Sequence, residues 1–333
     1  MRPRLRAVLA WSFGVLLVLG ACGPAAAPSS SNTPAARTAR VGSIDRPIVF
    51  AFTPSQDVQR ITTSGNAIAT ALANATGLKW KVSVPVSYAA QIESMCAGQT
   101  DIAAIAPLQM TLMLDKQCGT PILGALRKDD TGQLATTYRS QILVGKGSGI
   151  TDLNGLKGKK FAFVDPISAS GYLFPTLLVK NKTGQDPKTF FSQTIFAGGH
   201  DKAALAVYTG QVDGAATFID VRTSAGMPAD IMDKTMRIDT AGPIPNDGVA
   251  VAKTFPSELV GQVQQALINY CGTTDGAKQC KALFNWDGLQ KVDASFYDPV
   301  RDAAKLAGVD VAAEAAKTPA PPATPTPSPS KSP

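Results

Sequence analysis

Lys159-Lys160-Phe161-Ala162-Phe163-Val164-Asp165-Pro166-Ile167-Ser168-Ala169-Ser170-Gly171-Tyr172-Leu173-Phe174-Pro175 reads as a buried strand, a hydroxyl-bearing loop and the start of a helix. The strand ends at Asp165-Pro166, and the helix runs on towards Lys180. Ser168 and Ser170 are good N-cap residue types. Pro175 fits only if the helix begins near Ser170, because its missing N–H must fall among the unpaired donors of the first turn. Those free N–H groups and the positive end of the helix dipole favour an anion. Serine hydroxyls add donors, so the loop needs no lysine or arginine for the task. The Gly-x-x-x-x-Gly-Lys-Ser/Thr nucleotide loop is absent.

The same alternation extends in both directions, which is the rhythm of α/β architecture. Strand-like runs fall at 47–52, 80–86, 101–106, 140–144, 190–196, 212–218 and 248–252, with a loop Thr53-Pro54-Ser55-Gln56 and a helix over 57–75. Two units resemble each other. One runs from Tyr88 to Asp101 and the other from His200 to Asp213, and each ends in Gly-Gln-x-Asp, at Gly98 and Gly210. Glycine there suits a left-handed helix cap. Tyr88 and His200 then take matching places at the carboxyl ends of two strands, where open α/β sheets bind ligands.

Outside this core the chain changes character. Arg2, Arg4 and Arg6 precede an apolar run from Ala7 to Leu19, followed by Leu19-Gly20-Ala21-Cys22. That pattern describes a secretory signal over residues 1–21, too short to span a bilayer comfortably. The small residues before Cys22 resemble a bacterial lipobox, which implies lipidation of Cys22 and an extracytoplasmic protein held at the membrane. Residues 22–45 and 317–333, rich in Ala, Pro, Ser and Thr, are expected to be a tether and a Pro-rich disordered tail. Of the 32 basic residues, Arg2, Arg4, Arg6, Arg37, Arg40, Lys317 and Lys331 lie outside residues 45–316, and none of the 25 acids does. The core is therefore neutral, and the basic pI carries no argument for nucleic acid. Without Cys22 four cysteines remain, Cys96, Cys118, Cys271 and Cys280. An even number in an exported chain suggests disulfides in one of three connectivities. Proximity favours Cys96–Cys118 and Cys271–Cys280. With one histidine and no Cys-x-x-Cys, no metal site is expected.

Ser168-Ala169-Ser170-Gly171 with Tyr172-Leu173-x-Pro175, Ala197-Gly198-Gly199-His200 and Ile244-Pro245-Asn246-Asp247 occur in this order, supported by Ser87-Tyr88-Ala89 and Tyr138-Arg139-Ser140. Together they resemble the phosphonate-binding, PhnD-like periplasmic family of ABC transporters, whose members also include phosphite and phosphate binders. The resemblance covers most of residues 47–312. It implies a two-lobed periplasmic-binding-protein fold of type II, two Rossmann-like lobes joined by two hinge strands. Lobe 1 would be residues 46–139 and 248–316, and lobe 2 residues 140–247. The crossings would fall near Tyr138–Gln141 and Pro245–Gly248. It further implies a monomer without cofactor that delivers a small phosphorus oxyanion to ABC permease and ATPase subunits.

By the same resemblance Tyr88 and Tyr138 donate phenolic hydrogen bonds. Ser168, Ala169 through its backbone, and Ser170 cradle the oxyanion, and His200 adds an imidazole N–H. Asp247 accepts a bond from a protonated ligand oxygen, and Asp220 stands where family members meet an ammonium group. The family commonly has Ser-Thr-Ser where this chain has Ser-Ala-Ser, so one hydroxyl donor is lost. Plain readings stand beside these: Asp247 suits a turn, and Asp220 suits a pair with Arg222. A lone Asp247 carboxylate would reject an oxyanion without a proton, such as sulfate, and a charged His200 would make selectivity pH-dependent. Three rival functions are a sulfonate, nitrate or vitamin-precursor binder, a ligand sensor, and a serine hydrolase built on Ser170, His200 and Asp247.

Overall fold

The computed structural model describes residues 39–129, 131–219 and 221–317. Cys22, the signal segment, most of the tether, Asp220 and the tail from 318 onwards lie outside the described residues. The end of the expected tether is pinned. Gly42 N–H donates to Arg46 O at 2.8 Å, and Gly42 O accepts from Lys79 N–H at 2.8 Å.

The chain opens with β1 (Ile48–Phe52), α1 (Val58–Thr76), β2 (Trp80–Ser83), α2 (Tyr88–Cys96), β3 (Ile102–Ile105), α3 (Pro107–Asp115) and β4 (Gly119–Lys128). Strand β1, Ile-Val-Phe-Ala-Phe, is apolar throughout because helices cover both its faces. It pairs in parallel with β2 and β3. Helix α1 shows the other period. Ile61, Gly65, Ile68 and Leu72 are buried at spacings of three and four, Asp57 Oδ1 caps Arg60 N–H at 2.7 Å, and Gly77 closes the helix at φ 72°.

After a short β5 (Leu134–Ala135) the chain enters a second sheet through β6 (Thr137–Gly145) and β7 (Lys160–Phe163). A π-helical turn, Ala169–Leu173, leads into α4 (Phe174–Thr183), followed by β8 (Gln193–Phe196), α5 (His200–Tyr208), β9 (Gly214–Phe218) and β10 (Thr235–Pro245). The chain then returns to the first sheet as β11 (Gly248–Ala252), α6 (Ser257–Cys271), α7 (Thr274–Phe284) and β12 (Gly288–Lys291), and finishes with α8 (Asp298–Ala307) and α9 (Val311–Ala316). The first sheet has the order β12-β4-β11-β3-β1-β2, with β5 beside β4, and the second β10-β6-β9-β7-β8. Both are mixed, with a parallel part built from βαβ units and an antiparallel part along one side. Each sheet with its helices forms one α/β lobe, and the chain passes between them at residue 136 and at 246–247.

The two sequence units coincide with matching structures. Helices α2 and α5 are nine residues each, and Tyr88 and His200 are their first residues. Both close identically: Gly98 N–H donates to Met95 O and Gly210 N–H to Val207 O, Gln99 N–H to Ser94 O and Gln211 N–H to Ala206 O. Both glycines adopt positive φ, 70° and 73°. The terminal aspartates pin a parallel strand of each lobe, β1 and β7, since Asp101 Oδ2 accepts Val49 N–H at 2.8 Å and Asp213 Oδ2 accepts Lys160 N–H at 2.8 Å.

Disulfides Cys96–Cys118 and Cys271–Cys280 close two peripheral loops of the first lobe, with Cα separations of 4.8 and 5.9 Å. Helix α8 packs against α3 of the first lobe and α4 of the second, and Lys180 Nζ in α4 donates to Ala307 O at 2.6 Å.

Candidate functional site

A pocket of about 30 Å³, partly open to solvent, lies between the lobes, at the carboxyl ends of the parallel strands. The loop after β1 supplies Thr53, Ser55 and Gln56, the start of α2 supplies Tyr88, β4 supplies Arg127, and the return crossing supplies Asp247. From the second lobe come Tyr138, Ser168, Ser170, His200 and Phe218. Six residues singled out from the sequence thus line one space. Ala169 is buried between the two serines, and Asp220 is outside the described residues.

The start of the π turn explains the hydroxyl-rich loop. Ser168 is the N-cap, its Oγ accepting Gly171 N–H at 3.1 Å, while Tyr172 and Leu173 N–H both donate to Ser168 O at 3.1 Å. The first-turn N–H groups of Ala169 and Ser170 are the donors left over. Gly171 is needed for close approach, because a Cβ there would come within 2.4 Å of Val164 Cβ. Ser140 Oγ donates to Ser170 O at 2.6 Å, and Tyr138 Oη donates to Ser170 Oγ at 3.1 Å. Ser170 is therefore held from both sides.

His200 is 5 % exposed. Its Nδ1 accepts Phe218 N–H at 3.2 Å, and its backbone N–H donates to Ser55 O across the cleft at 2.8 Å. Because Nδ1 is an acceptor, the ring proton sits on Nε2, which is thereby a neutral donor. Burial, with the Arg127 guanidinium nearby, pushes the imidazole down to about 3. This corrects the expectation of a charged His200 that could tune selectivity at neutral pH. Burial also lifts the phenols of Tyr88 and Tyr138 above their usual range, so both remain O–H donors. Tyr88 Oη lies beside Ser55 but has no hydrogen-bond partner of normal geometry, which leaves a buried donor at the cavity wall.

Arg127 was missed in the sequence, and it changes the electrostatics. Its guanidinium forms an ion pair with Asp247 Oδ2, lies 4.5 Å over the Tyr138 ring and is 5.8 Å from that of Phe218. Trp286 Nε1 donates to the same Asp247 oxygen at 3.4 Å. Asp247 is thus neither a bare carboxylate nor merely a turn residue, and the site does contain a cation. The signal that could have found Arg127 is its position at the end of the apolar run Pro121-Ile122-Leu123-Gly124-Ala125-Leu126. Asn246 fixes the crossing by donating to Ala125 O at 3.0 Å and Ala135 O at 2.9 Å. Arg222 donates to Thr235 O at 3.0 Å. A Ser170-His200-Asp247 relay is not assembled, because Phe218 N–H occupies His200 Nδ1 and Arg127 occupies Asp247.

The arrangement is suited to binding: convergent neutral donors, one guanidinium and one carboxylate, in a small pocket. Comparison with known proteins agrees with that description. The phosphate-import protein PhnD of Mycolicibacterium smegmatis is 34 % identical over 222 residues, and the match spans 64 % of this chain and 64 % of that relative's length. A binding protein component of an ABC phosphonate transporter from Pseudomonas aeruginosa superposes with a TM-score of 0.71 at 24 % identity, covering 78 % of this chain and 86 % of the other. PhnD1 of Prochlorococcus marinus, solved in complex with methylphosphonate, gives 0.67 at 16 % identity, covering 78 % and 97 %. These two share the two-lobed fold. The family model described as ABC transporter, phosphonate, periplasmic substrate-binding protein matches residues 50–297, and the chain belongs to that family.

Proposed function

We propose that the protein is an extracytoplasmic lipoprotein, anchored through Cys22, that captures a phosphorus oxyanion between its lobes and delivers it to the permease and ATPase of an ABC importer. The lobe built on the first sheet, β1–β5 with β11 and β12, and the lobe built on the second, β6–β10, close on the anion as units. The observation that carries this reading is the convergence of donors on one small cavity: the first-turn N–H groups of Ala169 and Ser170, the Ser168 hydroxyl, the Ser170 hydroxyl oriented by Tyr138 Oη, Tyr88 Oη and His200 Nε2. Donors of this kind, preorganised at a helix start, match an oxyanion. The names of the relatives, one a phosphate importer and one solved with methylphosphonate, support phosphorus as the central atom. The signal segment before Cys22 supports the anchor, whose two acyl chains would hold the protein at the membrane.

Titration calorimetry with phosphate, phosphite, methylphosphonate and nitrate tests the ligand class, and binding of nitrate alone would overturn it. Cys22→Ala should release the protein from membranes, and unchanged retention would remove the anchor. Loss of growth on the bound phosphorus source after deletion would support import, whereas intact growth would point to a sensor.

A further inference from the structure

We propose that Arg127 sets the charge of the captured anion and makes the cleft selective for hydrogen phosphate, a dianion that still carries one P–OH donor. The inference rests on the phosphorus-oxyanion reading above and narrows it. Two demands meet at Asp247. Arg127 and Trp286 both hold Oδ2, so Oδ1 remains as an acceptor for a donor group. A bare carboxylate in a buried cleft would also repel any dianion over its whole surface, since such repulsion is strong at low dielectric. The guanidinium cancels that repulsion but leaves the local demand for a donor. The Arg127 side chain is 9 % exposed and is held over the Tyr138 ring, so the charge is fixed in the site rather than hydrated away. Its Nε is buried without a partner and is one further donor.

At neutral pH and above, hydrogen phosphate has both two charges and a P–OH. The phosphite dianion has P–H, which does not donate, and a phosphonate dianion has no donor at all. These two must bind as monoanions, which become scarce as pH rises.

The charged and titratable groups around the Arg127–Asp247 pair allow a clean pH test. Tyr88, Tyr138 and Tyr297 face it from α2, β6 and the turn before α8, and burial lifts all three phenols above their usual range. His200 on α5 is neutral and stays so, and Asp165 at the end of β7 titrates at about 6. Beyond Trp286, Lys281 and Asp287 pair at 2.8 Å, and Arg60 on α1 bonds to Gln56 at the cleft edge. Above neutral pH the ligand is therefore the species whose protonation changes.

Calorimetry with inorganic phosphate and with phosphite at about pH 7 and about pH 9 reads the effect. Wild-type affinity for phosphate should stay within about threefold, while affinity for phosphite falls roughly tenfold per pH unit, because only its protonated fraction is competent. In R127M phosphate should fall like phosphite. R127K should keep the phosphate profile flat, and R127M/D247N should restore it. Parallel pH profiles for the two anions in the wild type would overturn the proposal, and so would a flat phosphate profile in a folded R127M. If R127M does not fold, the wild-type comparison and R127K still decide. Absence of binding by either anion at about pH 7 would instead remove the function on which the proposal rests, and the proposal with it.

Discussion

The single imidazole of the chain is locked by one backbone bond, Phe218 N–H to His200 Nδ1. Nitrogen-detected NMR should therefore show one neutral imidazole with its proton on Nε2, unchanged between about pH 5 and pH 8. A titration near the ordinary value of about 6.5 would contradict it. The native pKa of about 3 lies below the unfolded one. The unfolded chain thus binds the extra proton first, and stability conferred by neutral His200 is lost as pH falls through about 6.5 towards 3. Asp165 has the opposite sign. Burial raises it to about 6, so the native state holds a proton that the unfolded state has released. Stability is lost as pH rises from about 4 to 6, by about 2 kcal/mol. Asp165→Asn should gain on the wild type by that amount between those pH values in thermal or denaturant melts, and an unchanged difference would count against it. Ser170→Ala removes a hydroxyl already oriented by Tyr138 and should weaken anion binding by roughly 10- to 150-fold without unfolding the protein. Unchanged affinity would take Ser170 out of the site.

At the scale of elements, the readable segments were those with one clean period. The apolar run of β1 and the three–four spacing of α1 fell within a residue or two of expectation. The Gly-Gln-x-Asp units were legible because cap, turn and strand anchor each need a particular residue type. Strand β4 was not legible, since Gly119, Pro121 and Gly124 interrupt its pattern. Gly124 is there because a Cβ would come within 2.9 Å of Val292, a contact invisible in sequence. Missing β4 meant missing Arg127, and a bare Asp247 followed from that omission. Strand β10 escaped for a similar reason, with Gly242 and Pro243 inside it. The disulfides were legible as pairs of neighbours, and their places suggest their effect. Cys271–Cys280 joins α6 to α7, and Cys96–Cys118 joins the end of α2 to the turn before β4. Replacing either pair by alanine should lower stability by about 2–4 kcal/mol and leave anion affinity nearly unchanged, as neither touches the cavity. A large loss of affinity with intact folding would show that the loops do reach the site.

On the scale of the whole molecule, specific polar contacts bridge the cleft. His200 N–H meets Ser55 O at 2.8 Å, and the Arg60 guanidinium bonds both Gln56 Oε1 and Ala225 O. Arg60→Ala should weaken anion binding through faster dissociation while leaving the cavity donors in place, measurable by stopped-flow release. An unchanged release rate would mean the latch contributes nothing to closure. A further link between the lobes is helix α8, braced on α3 and α4 and tied by Lys180 to Ala307 O. Two chain crossings alone define a line about which the lobes could swing widely, like a door on two pins. A third attachment away from that line restricts the swing, because any rotation must either keep α8 near the axis or shear it along its seat. Packed helices tolerate small sliding far better than separation. On the proposed function the opening of the cleft is accordingly expected to be a short, torsion-limited gape, set by the stiffness of a helix that does not line the cavity.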